Sequence, residues 1–325
     1  MANAHTHTCS HHDASSMSEG KLRLSLLFTF AFVLFEALSG LKAHSLALLS
    51  DAGHNFTDGF ALLLSWYALR VARKPASATR TYGYHRVGIL TALFNAVTLI
   101  VIALFIFVEA FQRFRQPETV ASLPMIGVAT VAVLLNTVIA LALRGEAKDN
   151  VNLRSAYIHM AGDALSAVGV ILAGVVIHFT GWPYADPLIS VLIGLFILST
   201  SGGIVQETLN ILLEGAPKGL DIDAMVGAMR QVPGVTGVLD LHVWAIADGM
   251  NALSCHLQVS EPDMPHAARV VQEVKLLLAA RYGVRHSTLE TECTGCLHDQ
   301  LYCSMPHTAH ATGHEHSEDC DHAHS

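Results

Sequence analysis

Charged residues are scarce in this chain. Asp, Glu, Lys and Arg make up 14% of its 325 residues, whereas hydrophobic residues make up 52%. Soluble domains usually carry about a quarter charged residues, so the composition indicates a membrane protein with a soluble part. Positive charge is scarcer than negative charge, with a net charge of −8. No basic patch with interleaved aromatic residues appears, and we expect no nucleic-acid partner.

Motifs for ATP use and for zinc-dependent hydrolysis are also missing. The chain has no Gly-x-x-x-x-Gly-Lys-Ser/Thr loop, so ATP-driven action is not supported, and it has no His-Glu-x-x-His. We therefore expect that the protein is not an enzyme.

The start of the chain is polar and His-rich, and no small-residue cleavage site follows its first apolar run. The run beginning near Leu22 is thus predicted to be a transmembrane helix, not a signal peptide.

Six long apolar runs follow one another. They cover residues 22–42, 45–72, 86–112, 122–144, 153–179 and 185–213. About 20 apolar residues span the hydrocarbon core of a bilayer, and the breaks between runs, such as "RKPASATR" and "TGWPYADP", contain turn-forming residues. The sequence therefore predicts a multi-pass α-helical membrane protein, with six transmembrane helices in residues 21–213.

Lys and Arg residues lie mostly on one side of the predicted membrane. That side holds Lys21, Arg23, Arg70, Arg73, Lys74, Arg80, Arg86, Arg144, Lys148 and Arg154, and the other holds Lys42, Arg113 and Arg115. Cytoplasmic loops carry the excess of basic residues, so both termini are predicted to be cytoplasmic. In a bacterium the membrane would be the inner, plasma membrane.

The pattern changes after Leu213. Successive segments read as helix, strand, strand, helix and strand, at 221–231, 235–246, 251–259, 264–282 and 286–292. This αββαβ order predicts a cytoplasmic α+β domain at 214–292, with its helices on one face of a three-stranded sheet. A His-rich N-terminal tail (1–20) and a Cys/His-rich C-terminal tail (293–325) complete the chain.

The pattern with the clearest chemistry is His-x-x-x-Asp, which occurs in two of the predicted transmembrane helices. It places His54 with Asp58 in helix 2 and His159 with Asp163 in helix 5. Residues i and i+4 share a helix face, so packing of these helices would unite two imidazoles and two carboxylates. Such a set suits a tetrahedral divalent ion such as Zn²⁺.

Small residues beside these pairs (Gly53, Gly59, Ala161 and Gly162) are expected to allow helices 2 and 5 to pack closely. A buried His can simply be satisfied by a neighbouring helix, but two charged pairs near the bilayer centre are costly, at about 2.5–3.5 kcal/mol per charge. Asp51 lies on the same face as His54 and Asp58. It could accept protons or bind the ion on its way to the site. Alternatively, it could be a polar residue near the helix end.

Four segments, "SLALLSDAGHNFTDG", "YGYHRVGILTALFNA", "HMAGDALSAVGV" and "ADPLIS", resemble the cation diffusion facilitator family, its zinc-transporting branch especially. The resemblance extends over residues 22–292. It implies a homodimeric, proton-coupled exporter of divalent cations, with six transmembrane helices and a metallochaperone-like cytoplasmic domain.

The resemblance also implies residue roles. The transport-site pattern of the family falls on His54, Asp58, His159 and Asp163, and a set of two His and two Asp is the one associated with zinc. A charge interlock would join Arg86 in helix 3 to Glu214 at the end of helix 6; an ordinary interfacial Arg and a solvated Glu are the alternative. The loop "KPASATRTYGYHR" lacks most residues of a second metal site seen in some relatives, so no site is expected there.

Two further metal sites are predicted in the cytoplasmic parts. His242 and His256 lie on adjacent predicted strands, and His286 and Glu292 flank the third. The four could bind a regulatory Zn²⁺ at a dimer interface, or each His could be an ordinary surface or core residue.

The six cysteines (Cys9, Cys255, Cys293, Cys296, Cys303 and Cys320) all fall in predicted cytoplasmic parts, where thiols stay reduced and metal binding is favoured over disulfides. Cys293-x-x-Cys296 could complete a tail site with Cys9 and nearby histidines; a flexible thiol pair is the alternative.

Two other functions remain possible for the whole protein: a membrane-bound metal sensor or store, and an exporter of Co²⁺, Cd²⁺ or Ni²⁺.

Overall fold

The structure is a computed structural model of the chain. It describes residues 19–144, 151–260, 264–293 and 301. The chain divides into two compact units between Leu213 and Glu214, and each unit is described separately below.

Six long helices form the first unit. They are α1 (Glu19–Ala43), α2 (Leu46–Ala72), α3 (Arg86–Arg115), α4 (Ser122–Arg144), α5 (Val151–Thr180) and α6 (Ala185–Leu212). Every end lies within three residues of the end predicted from the apolar runs. Among the described residues, four segments are long and apolar enough to cross a membrane: Arg86–Arg115, Ser122–Ala142, Tyr157–Thr180 and Ala185–Leu212. The prediction of a multi-helix membrane domain is confirmed.

Small residues fill the centre of this helical unit. Its core contains buried alanines from five helices, namely Ala47, Ala103, Ala129, Ala173 and Ala185. Large apolar side chains such as Phe105 and Leu172 point outward instead. This arrangement is expected of a membrane protein, where close helix packing relies on small residues and outward faces contact lipid.

One buried carboxylate holds the start of α2. Asp186, at the start of α6, is completely buried and accepts hydrogen bonds from Ser45 Oγ (2.5 Å) and from the backbone N–H groups of Leu46 (2.7 Å) and Ala47 (3.2 Å). Arg113 of α3 lies 3.4 Å from the same carboxylate. Ser45 in turn accepts from Leu48 N at 3.1 Å, which makes it the N-cap of α2. Asp186 therefore ties α2, α3 and α6 together at one end.

The second unit has the predicted αββαβ order. Its elements are α7 (Ile222–Arg230), β1 (Val235–Ala247), β2 (Met250–Val259), α8 (Met264–Tyr282) and β3 (Val284–Cys293). The sheet order is β1-β2-β3, with β1 antiparallel to β2 and β2 parallel to β3. The two residues Asp248 and Gly249 turn the chain between β1 and β2, and Gly249 adopts φ +68°. The parallel pair requires a crossover connection, which α8 supplies.

Both helices of the second unit pack on one face of the sheet. Met225 and Met229 of α7, Val274 and Leu278 of α8, and Leu257 of β2 belong to the same buried cluster. Along β2 the residues 253, 255, 257 and 259 are buried, whereas 254, 256 and 258 between them are only partly so. The period of two assigns the odd-numbered residues to the core. His256 therefore lies on the opposite face of the sheet.

We expect Asp186→Ala to destabilise the helical unit. The change would leave Arg113 and the N-terminal donors of α2 buried without their acceptor, and breaking a buried ion pair costs about 3–5 kcal/mol. Thermal unfolding of the detergent-purified protein should show a clearly lower midpoint. Glu118→Ala is the matched control, because Glu118 contacts the same Arg113 at 3.5 Å but its side chain is 50% exposed. Equal midpoints for the two variants would contradict the role of Asp186.

Candidate metal centre

The two His-x-x-x-Asp pairs meet between α2 and α5. His54 Nε2 lies 3.4 Å from Asp163 Oδ1 and 3.5 Å from Asp58 Oδ2. His159 Nε2 lies 3.2 Å from Asp58 Oδ2 and 3.6 Å from Asp163 Oδ2. Each imidazole therefore contacts the carboxylate of its own helix and the carboxylate of the other helix.

The spacing of three of the four side chains suits one small ion. One ligand atom from each of His54, Asp58 and Asp163 can be chosen so that all three lie within 4.8 Å of one another. The two imidazole ring centres are 6.1 Å apart, at an interplanar angle of 73°. Nitrogen and carboxylate ligands bind zinc at about 2.0–2.2 Å in tetrahedral geometry, so small rotations of these side chains would suffice to surround an ion.

The site is buried on one side and open on the other. His54 and Asp163 have side chains 9% and 5% exposed, whereas His159 is 43% exposed. Asp58 is intermediate, and its Oδ2 has no hydrogen-bond partner, although the Nε2 atoms of His54 and His159 lie 3.5 and 3.2 Å from it. His159 thus forms the exposed edge of the cluster.

The glycines beside the site have a different role from the predicted one. A Cβ added at Gly53 would meet Ile102 of α3 at 3.6 Å, and one at Gly59 would meet Thr29 of α1 at 3.4 Å. One at Gly162 would meet Phe196 of α6 at 3.4 Å, while Ala161 is exposed. The glycines therefore admit the neighbouring helices α1, α3 and α6; the expectation that they bring α2 and α5 together is wrong.

A second buried polar group lies next to the site. Asp51, one turn before His54 on α2, is 1% exposed and accepts a hydrogen bond from Ser166 of α5 at 3.2 Å. Glu36 of α1 is fully buried and accepts from Asn55 at 3.1 Å. Asp51 is thus an interior residue, not one exposed at a helix end. Glu36 was missed from the sequence because a lone acid in an apolar run has no partner at helical spacing.

The cytoplasmic unit gathers three of its predicted residues and one that was not predicted. His256 Nδ1 lies 2.5 Å from Glu292 Oε1, and its Nε2 lies 3.7 Å from Asp240 Oδ2. His242 Nε2 lies 3.1 Å from the other oxygen of Asp240. Asp240 therefore bridges the two histidines.

A β-bulge lies at Asp240. The pairing of β1 with β2 shifts between Leu239 and His242, and Asp240 has φ +46°, which is unusual for a residue other than glycine. Asp240 and His242 are nevertheless two residues apart, and the strand period of two places such residues on one face. Asp240 could therefore have been found from the sequence, and it was overlooked.

The remaining predicted site residues are not brought to this cluster. His286 pairs with Ala252, whereas Glu290 pairs with His256, so His286 lies four residues along β3, roughly 13 Å away. β3 ends at Cys293, and Cys9 and Cys296 lie outside the described residues. The tail site stays a prediction, as does the interlock between Arg86 and Glu214.

Comparison with known proteins identifies the class. The profile of the cation efflux transmembrane domain matches residues 22–213, and that of the cation efflux protein cytoplasmic domain matches residues 217–293. The chain belongs to the cation efflux family. It is an integral multi-pass membrane transporter with a cytoplasmic C-terminal domain, and it is not an enzyme.

Several characterised relatives match nearly the whole chain. The cadmium, cobalt and zinc/H(+)-K(+) antiporter of Bacillus velezensis is 33% identical over 94% of this chain and 98% of its own length. The metal cation efflux system protein CzcD of Cupriavidus metallidurans is 35% identical, over 88% and 90%. The zinc transporter ZitB of Escherichia coli is 36% identical, over 91% and 94%. Their names agree on metal transport and differ on the metals.

We expect Cys255 to be chemically inert, unlike a metal-binding thiol. It is buried in the core of the cytoplasmic unit, and burial, together with the nearby Asp240 carboxylate, raises the pKa of its thiol to about 12. Since the thiolate is the reactive form, the full chain with the other five cysteines changed to Ser should resist maleimide at pH 8. It should react after denaturation. Rapid labelling of the folded protein would contradict this placement of β2.

Proposed function

We propose that the protein exports divalent metal cations from the cytoplasm, Zn²⁺ foremost, in exchange for protons, and that His54, Asp58, His159 and Asp163 bind the transported ion. The observation that supports this most directly is the convergence of four ligand side chains from α2 and α5. Each charge inside a helical membrane unit is costly. Metal binding therefore explains a set of two His and two carboxylates better than helix packing does.

The ligand chemistry links metal binding to protons. A ligating imidazole must be neutral and a ligating carboxylate ionised, so an ion and protons compete for the same atoms. On the cytoplasmic side the ion would displace protons, and on the far side protons would displace the ion. Exchange between the two sides requires a change in helix packing that exposes the site alternately, and each ligand favours the state it binds better.

Zinc is proposed as the main substrate on the basis of the ligand set. Imidazole and carboxylate ligands in a four-coordinate arrangement suit Zn²⁺, which has no geometric preference of its own. Affinity alone does not exclude Co²⁺ or Cd²⁺ from such ligands, and the names of the relatives include both metals.

The cytoplasmic domain is proposed to form a homodimer and to respond to zinc. Its cluster of Asp240, His242, His256 and Glu292 offers two imidazoles and two carboxylates within short distances, which is a ligand set of the same kind as the transport site. Both termini are proposed to be cytoplasmic, following the distribution of Lys and Arg. In a bacterium the protein would then reside in the inner membrane.

We expect Asp163→Asn to abolish zinc-driven proton movement. The amide keeps the shape of the side chain but removes the charge that two imidazoles contact. In proteoliposomes containing a trapped pH dye, an inward zinc gradient should alkalinise the lumen with the wild type, because protons leave in exchange, and should leave it unchanged with Asp163→Asn. Glu118→Gln, the same change at a half-exposed carboxylate, should leave the flux intact. Flux near the wild-type level in Asp163→Asn would contradict the proposed ligand role.

We expect His54→Asp to broaden metal selectivity toward harder or larger ions. An oxygen ligand replaces a nitrogen ligand that contacts both carboxylates, which shifts the preference of the site away from zinc. The test is competition between Zn²⁺ and Cd²⁺ or Mn²⁺ for transport by reconstituted protein, with Glu118→Gln as control. An unchanged transport ratio would count against His54 as a ligand.

A further inference from the structure

The segment that joins α2 to α3 concentrates positive charge. Residues 70–85, called the α2–α3 connection below, contain no Asp or Glu, and none occurs anywhere between residues 59 and 108. The connection has four exposed basic residues, which are Arg70, Arg73, Lys74 and Arg80. In the part of the chain that the structure describes, none of the four forms an ion pair with a carboxylate. Their charge is therefore available to an anion from outside the helical unit.

The connection has a defined backbone. Ser77 and Arg80 exchange two backbone hydrogen bonds, of 3.1 and 3.0 Å, and the N–H of Gly83 donates to the carbonyl of Arg80 at 2.9 Å. Gly83 adopts φ +76°, and a Cβ placed there would lie 3.9 Å from the backbone oxygen of Lys74. The chain thus turns back toward Lys74, and the basic residues are held on a folded, hydrogen-bonded segment.

Two of the arginines lie over aromatic rings. The guanidinium carbon of Arg70 is 5.5 Å from the ring centre of Trp66, and that of Arg80 is 5.3 Å from the ring centre of Tyr84. A guanidinium that stacks on a ring uses its flat face, and the N–H groups at its edge stay available. Those N–H groups can form two parallel hydrogen bonds with a phosphate. The rings therefore orient the arginines for an anion of this shape.

The length of α2 places these residues at the surface of the membrane. Trp66 lies twenty residues after Leu46, the first residue of α2, which is about 30 Å along the helix axis and equals the thickness of the hydrocarbon core. Trp66 and Tyr67 are 39% and 58% exposed, and Trp and Tyr are enriched at the level of the lipid headgroups. Arg70 lies about one turn beyond Trp66, where phosphate groups are found.

The side of the membrane follows from the four apolar spans α3–α6. Four crossings return the chain to the side on which it started, and the cytoplasmic domain follows α6 directly. The start of α3 and the connection before it are therefore cytoplasmic. An excess of basic residues on this side is expected from membrane topology alone. The folded backbone, the stacked arginines and the lack of carboxylate partners go further and favour a ligand.

We propose that anionic phospholipids of the cytoplasmic leaflet bind to the α2–α3 connection through their phosphate groups, the cationic contacts being Arg70, Arg73, Lys74 and Arg80. A basic residue near an anionic leaflet strengthens attraction to it about fivefold. In a zwitterionic lipid the phosphate charge is compensated by an ammonium group of the same headgroup, so such lipids are bound less well. The proposal concerns the lipid around the transporter and does not depend on which ion is transported.

Tryptophan fluorescence tests which lipid lies beside the connection. The full-length protein with Trp182→Phe and Trp244→Phe retains Trp66 as its single tryptophan. It is reconstituted in phosphatidylcholine vesicles that contain either phosphatidylglycerol or, at the same mole fraction, phosphatidylcholine with brominated acyl chains. Bromine quenches a nearby tryptophan, so the ratio of quenching by the two brominated lipids measures the enrichment of the anionic lipid at Trp66.

The anionic lipid should be enriched several-fold, and the enrichment should fall as salt rises, because salt screens exposed charges. Enrichment should disappear in the variant that carries Arg70→Gln, Arg73→Gln, Lys74→Gln and Arg80→Gln. Changing the three arginines to Lys keeps the charge and should keep most of the enrichment, which separates loss of charge from loss of folding. Arg115→Gln is the matched control, because Arg115 lies 5.3 Å from the ring centre of Phe111 at the other end of α3, and it should match the parent protein.

Equal quenching by the two brominated lipids would overturn the proposal, since the connection would then bind no anionic lipid or be covered by other carboxylates of the chain. Enrichment that persists in the four-Gln variant would overturn it as well. Inorganic phosphate should lower the enrichment no more than sodium chloride of equal ionic strength does. A stronger effect of phosphate would assign the four residues to a free anion and contradict the lipid as their ligand.

Discussion

Compensation of buried charge between α2 and α5 is the constraint on which the transport unit depends. Asp58 and Asp163 together carry two negative charges within a helical unit that faces lipid, and each lies within 3.2–3.6 Å of both imidazoles. Isolated charges at that depth are costly. Two protons on the imidazoles or one divalent cation between the four side chains would neutralise the set equally well, and this equivalence is the physical basis of the proposed exchange.

The rest of the helical unit holds these four side chains in place. Asp186 fixes the start of α2 against α3 and α6 through a completely buried network, and His54 follows about two turns further along the same helix. Glycines on α2 and α5 leave room for α1, α3 and α6 to pack closely against them. Glu36 and Asn55 add a polar contact between α1 and α2. The positions of the four proposed ligands thus depend on contacts with α1, α3 and α6, which contribute none of them.

Much of this organisation could be predicted from the sequence, because helical and strand periods are local properties. The six apolar runs matched α1–α6, and the αββαβ order was confirmed. His54 and Asp58 could be paired because a spacing of four residues is visible in the chain. Glu36 could not, since its partner lies on another helix. Asp240 was overlooked although it lies two residues before His242, a spacing that places both on one face of a strand. The partners of the glycines likewise depend on tertiary packing, which no local pattern encodes.

X-ray absorption at the zinc edge tests the central claim most directly. With one equivalent of Zn²⁺ bound to the full-length protein carrying His256→Ala, Cys293→Ser and Cys296→Ser, the account predicts four nitrogen or oxygen ligands at about 2.0–2.2 Å. Two of them should be imidazoles, and His159→Ala should reduce that number to one. Sulfur in the first shell, or a spectrum that does not change in His159→Ala, would contradict a transport site formed by His54, Asp58, His159 and Asp163.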